Sequence, residues 1–188
     1  MANKDGKFGL RPVRKLSGGN ICTSNYDIAT AYATAIYTGD VVELTGTGLN
    51  IQKASATNED NLGVFAGCRY VTAAGKPTWS PYWPGVSDGK TDIVAFVYVD
   101  PMIVYEVQFD TLAAANIGTV CDYNVGTGNA STGLSGLYAV AGSATTGGTL
   151  RVLRLVDRPD NAYGSYAKGE VTLAESIFLT GTTSAGGV

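Results

Sequence analysis

The segment from Asp92 to Asp110 constrains the fold more than any other stretch. In its second half Ile103, Tyr105, Val107 and Phe109 alternate with Glu106 and Gln108, the period-two pattern of a strand with one buried face. The first half, Ile93 to Val99, is apolar on both faces, as in a strand that is central in its sheet or covered by a neighbour. Asp100-Pro101 between them suits a tight reversal, because proline presets φ and cannot donate to a ladder. The pattern therefore predicts two strands, Ile93 to Val99 and Met102 to Phe109, the second half-buried.

Similar short runs recur at Val41 to Leu44, Leu62 to Val71, Gly118 to Asp122, Leu137 to Val140, Leu150 to Val156 and Glu170 to Leu173, between Gly, Asn, Asp and Pro. This is the signature of an all-β fold, a single β-barrel or jelly-roll-like sandwich. The chain's 188 residues suffice for one core. One helical turn is expected through Leu112, Ala113, Ala114 and Ala115, capped by Asp110 or Thr111 and ended by Asn116. Asp27 to Tyr37 reads two ways: its alanines favour helix, whereas Ile28, Thr30, Tyr32, Thr34 and Ile36 alternate as in a strand or extended loop, the preferred reading. The division that follows is an extended N-terminal arm (1–20), a β domain (21–176) and a flexible C-terminal tail (177–188), with the Gly126 to Gly136 tract peripheral.

Charge is unevenly placed. Lys4, Lys7, Arg11, Arg14 and Lys15 crowd the start, whereas Thr91 to Leu150 holds no Lys or Arg but includes Asp92, Asp100, Glu106, Asp110 and Asp122. The basic start, with Phe8 and Leu10 as apolar anchors, reads either as a frayed terminus or as an arm that crosses onto the acidic middle of a neighbouring copy or onto another acidic protein surface. Asp100, Glu106 and Asp110 are the candidate intersubunit acidic face. With a pI near 4.8, the remainder would repel a polyanion, which argues against nucleic acid. The longest apolar run, Ile93 to Val99, is too short to span a bilayer, which argues against a membrane.

There is no histidine, so Ser-His-Asp and Cys-His catalysis are excluded. The three cysteines, Cys22, Cys68 and Cys121, form no C-x-x-C pair and read as free thiols rather than metal ligands. Glu43, Asp92, Glu106, Asp122 and Glu170 are the carboxylates that a glycoside hydrolase would need in pairs, but no spacing selects a pair. The expectation is a protein without enzymatic activity, metal or cofactor. The most unusual local feature is Trp79-Ser80-Pro81-Tyr82-Trp83-Pro84. Rings stiffened by prolines serve as a lid over the core, as a protein interface, or as a platform on which a sugar stacks.

Four segments together resemble a family of tailed-phage structural proteins, marine and cyanophage-type, regarded as head decoration or capsid cement proteins. They are Phe8 to Arg14, Gly39 to Leu44, Gly63 to Val71 and Arg154 to Gly164. The resemblance implies a β-barrel or jelly-roll-like domain on the outside of the virion, synthesised in the host cytoplasm and stabilising the expanded shell. The implied partners are the major capsid protein and other copies of the chain, as a dimer or trimer. On this reading Lys7, Phe8, Leu10, Arg11, Arg14, Lys15, Trp79, Tyr82 and Trp83 are the candidate capsid contacts. The alternative is a receptor- or glycan-binding virion module that uses Trp79, Tyr82 and Trp83.

Overall fold

The computed structural model describes residues 3–55, 60–85, 89–143 and 147–179. Their strands are β1 (Arg11–Lys15), β2 (Ser24–Tyr26), β3 (Ile36–Tyr37), β4 (Val41–Leu44), β5 (Ile51–Lys53), β6 (Asn61–Val71), β7 (Pro77–Ser80) and β8 (Tyr82–Trp83). The second half adds β9 (Thr91–Tyr98), β10 (Ile103–Gln108), β11 (Thr111–Leu112), β12 (Val120–Asn124), β13 (Tyr138–Val140), β14 (Leu150–Leu155), β15 (Gly164–Ser165) and β16 (Lys168–Leu173).

The protein is all-β, built on two six-stranded antiparallel sheets. Sheet one runs β1-β10-β16-β14-β12-β13; sheet two runs β2-β9-β6-β4-β5, with β7 also paired to β6. Among the described residues neither sheet closes on itself, so the barrel expectation is replaced by two open sheets. The pairs β3–β8 and β11–β15 form separate two-stranded ribbons.

Sheet two feeds two cores because successive side chains on a strand point to opposite faces. Val41 and Val64 join Leu10, Tyr105, Phe109, Val152 and Val171 in the core shared with sheet one. Their sequence neighbours Val42 and Phe65 point the other way, into a second core with Ile28, Ile36, Cys68, Ala95, Val97 and Trp83. This second core explains the doubly apolar β9, which lies between β2 and β6 as its composition requires.

Further expectations are corrected or sharpened. Asp100-Pro101 does reverse the chain: Ile103 N–H donates to Asp100 O (3.2 Å), and Met102 N–H donates to Asp100 Oδ1 (2.8 Å). Because β9 and β10 belong to different sheets, this reversal is a crossing from one sheet to the other. β10 is buried along its whole length rather than on one face. The N-terminal segment covers its polar side, where Gln108 accepts from Gly6 N–H and donates to Asp5, both at 2.8 Å.

The expected arm is docked on its own chain over residues 8–15. Phe8 and Leu10 are buried, and β1 pairs with β10, because the apolar side chains find a core closer than any neighbouring copy. The Gly126 to Gly136 tract is also part of the body: a Cβ on Gly126 would lie 1.9 Å from Gly136 O, so the two limbs approach more closely than a side chain permits.

Asp27 to Tyr37 is non-helical, with Ile36–Tyr37 in a strand. The expected helical turn is a 3-10 turn over Ala114–Asn116, closed by Asn116 Oδ1 accepting from Ala113 N–H (2.8 Å) and not by Asp110 or Thr111. In the expected tail, Ile177 packs against the second core; residues 180–188 lie outside the described residues.

Candidate functional site

On sheet one the register gathers charge. Arg11 stands opposite Glu106, Glu106 opposite Glu170, and Glu170 opposite Arg154, one row across four strands. Tyr105, Val107 and Val171 face the core, so this row lies on the outer face, together with Arg14 and with Arg151 opposite Thr172. Glu170 receives Arg14 on one oxygen and Arg154 on the other, both at 2.7 Å, and Arg158 reaches Glu106 at 2.7 Å. Arg11 lies over the Phe8 ring, 4.5 Å from its centroid. The result is a face of five exposed arginines, Arg11, Arg14, Arg151, Arg154 and Arg158; two buried carboxylates fix Arg14, Arg154 and Arg158, and Arg151 donates to Gly118 O (3.1 Å). The hydrogen bond from Arg154, reinforced by Arg14, holds the Glu170 carboxyl below the usual range against an opposing push from burial.

Two of these carboxylates, Glu106 and Glu170, were candidates for acid–base work. Each is bound by arginine, and Glu170, whose carboxyl is held low by these bonds, is a poor proton donor near neutral pH. Asp100 pairs with Lys15 at 2.6 Å; this bond and the Met102 N–H hold its carboxyl down. The candidate acidic face is therefore not a free one, since Asp100 and Glu106 both face cations of their own chain. Asp110 remains exposed. Arg14 and Lys15, expected to reach a neighbour, bind Glu170 and Asp100 of the same chain.

The aromatic stretch is divided by the pairing of β7 and β8. Trp83 is fully buried opposite Ile36, with its Nε1 donating to Tyr32 O (3.1 Å) and its ring edge-on to Tyr70. It is a core residue and no contact for a partner. Tyr82 stacks on Tyr37 at 5.3 Å. Trp79 alone is strongly exposed, at 71%, and it lies flat on Phe96 with centroids 4.6 Å apart and planes 6° apart. Beside it is a shallow cleft of about 110 Å³ lined by Arg69, Tyr70, Thr78 and Asp92.

Lys7 is exposed and sits 4.6 Å over the Tyr138 ring. It lines two depressions, one of about 520 Å³ with Thr127, Asn129 and Thr132, the other of about 230 Å³ with Asp110, Tyr138 and Tyr166. Phe8 and Leu10 are core residues and present no surface.

Sequence reasoning missed the arginine face because Arg151, Arg154 and Arg158 are far along the chain from Arg11 and Arg14; only the register unites them. Among the described residues no three His, Cys, Asp or Glu side chains gather as a metal site, and no helix is long and apolar enough to cross a membrane. Comparison with protein-family models, with curated proteins and with solved structures finds no match for the chain.

Proposed function

We propose that the chain is a non-enzymatic virion structural protein, a decoration or cement protein that binds the outer surface of a tailed-phage head and stabilises the expanded shell. The reading joins the resemblance of its sequence segments to one observation, the five-arginine face in a chain whose net charge is −3. Guanidinium groups held in place by cross-strand carboxylates are planar donor forks suited to an acidic protein surface. Complementary charge sets register and speeds encounter, and repeated engagement on a lattice lengthens residence. The arginine-bound acids support the absence of catalysis.

The same proposal includes a jelly-roll-like arrangement of the two sheets, the major capsid protein as partner, and self-association as a dimer or trimer. It includes no nucleic acid, membrane or cofactor.

The test is co-sedimentation with undecorated shells of the phage, before and after expansion. Saturable binding to the expanded form alone, weakened by salt and by Arg151→Glu, is the expected result. Binding to neither form overturns the proposal, as does shell binding indifferent to both salt and that substitution. Retention of double-stranded DNA without shell binding would make the face a polyanion surface instead.

A further inference from the structure

We infer that the cleft beside Trp79 is a binding site for a neutral pyranose ring, with Trp79 as the stacking platform and Arg69 and Asp92 as the hydrogen-bonding groups at its margin. The argument begins with the register of sheet two. Val64 opposite Tyr98 belongs to the face packed on sheet one, while Phe65 opposite Val97 belongs to the second core. After the irregularity between Phe65 and Gly67, Gly67 stands opposite Phe96, and Arg69 opposite both Val94 and Trp79. Parity returns these residues to the face that met sheet one. Here the face runs on into solvent, since Arg69 and Trp79 are exposed.

A tryptophan this exposed would ordinarily sample several rotamers. Stacking on Phe96 fixes the inner face of the ring, so the outer face is a flat, preorganised apolar surface that loses little freedom on binding. Arg69 and Asp92 line the same cleft. Among the described residues neither side chain makes a hydrogen bond or ion pair, in contrast to the arginine-bound acids of sheet one. Asp92 also has φ 48°, a left-handed conformation that costs energy outside glycine and recurs at binding sites.

Sugar hydroxyls both donate and accept. A carboxylate that only accepts and a guanidinium that only donates therefore address the two sides of one ring, while the C–H face of the ring covers the indole. One cation balanced by one anion favours a neutral ligand over a charged one. The cleft is far below the several hundred Å³ of an enclosing small-molecule pocket, and its shallow shape fits a single ring lying on the tryptophan. The site is on sheet two, apart from the arginine face, and does not depend on shell binding.

The experiment uses the full chain and four probes: methyl β-glucopyranoside, methyl β-galactopyranoside, maltotriose and chitotriose. The indole Nε1–H resonance of Trp79, assigned by its loss in Trp79→Phe, is followed during titration, with the buried Trp83 as internal control. At least one probe is expected to shift it saturably in the millimolar range. Trp79→Ala, folded by near-ultraviolet circular dichroism, should weaken that binding at least about tenfold, as should Asp92→Asn. The inference is overturned if no probe shifts Trp79 at about 20 mM, or if Trp79→Ala binds as well as the parent. It is also overturned if Trp79→Ala abolishes shell co-sedimentation while every saccharide is silent, for the ring is then a protein contact.

Discussion

Lys53 Nζ lies 2.9 Å from the carboxylate of Asp40, whose side chain has no solvent exposure. That carboxylate also accepts from Tyr37 N–H (2.8 Å) and from the Ser135 hydroxyl. One buried acid thus ties the β3–β4 turn to β5 and, through Ser135, to the Gly126 to Gly136 tract. A buried charge is stable only when it is paired and fully hydrogen-bonded.

Asp40→Asn removes the partner of Lys53, whose side chain is 14% exposed, and leaves an ammonium with little water. Breaking one side of a buried pair costs about 3–5 kcal/mol. Urea denaturation should show that loss, and a midpoint unchanged from the parent would mean that Lys53 simply swings into solvent.

The Tyr105 hydroxyl has the opposite problem. It is buried without a hydrogen-bond partner among the described residues, and burial raises its pKa so that the group stays neutral. An unsatisfied buried hydroxyl costs about 1–3 kcal/mol. Tyr105→Phe keeps the ring and removes the hydroxyl, so it should raise the thermal midpoint; a lower midpoint would show that an ordered water holds the hydroxyl.

Acid should loosen sheet one in a definite direction. The carboxyls of Glu170 and Asp100 titrate lower in the folded protein, the first through Arg154 and then Arg14, the second through Lys15 and the Met102 N–H. A depressed folded pKa gives stability that is present in full above the unfolded value of about 4 and is lost as pH falls through the folded value. Thermal midpoints between neutral pH and pH 2 should therefore fall below about pH 4. Glu170→Gln, already lacking one ionic anchor, should fall less steeply; parallel curves would remove Glu170 from the account.

The legible parts of the fold are those with a strong local apolar pattern. β10 announces itself by its alternation, and β6 and β9 by continuous runs rich in Val, Ile and aromatic residues. β2, made of Ser24, Asn25 and Tyr26, carries no such signal and exists only because β9 offers it an edge. The Asp100-Pro101 turn was legible as a turn but not as a crossing, since the same local chemistry serves either connection. Of the candidate site, Trp79 was singled out, yet its exposure and the burial of Trp83 are set by pairing with β6 and β3, which no local pattern encodes. The arm was misread for a related reason: Phe8 and Leu10 were correctly seen as anchors, but whether an anchor holds its own chain or another is a tertiary question.

Cysteine chemistry separates surface from core in a single assay. All three thiols are free; Cys22 is exposed, and Cys68 and Cys121 are buried. Burial pushes the latter two up to about 12, and the thiolate is the nucleophile, so they are unreactive at pH 8 on both grounds. A chromogenic disulfide reagent should titrate one thiol in the native protein and three in denaturant, in keeping with the single exposed cysteine. Cys68 lies on β6 between β7 and β9, and Cys121 pairs with Leu150 in sheet one, so each slow thiol reports the opening of a different sheet. Equal slow rates would mean that the two sheets open as one cooperative unit, whereas a faster Cys68 would show that sheet two, with the Trp79 face, opens without sheet one.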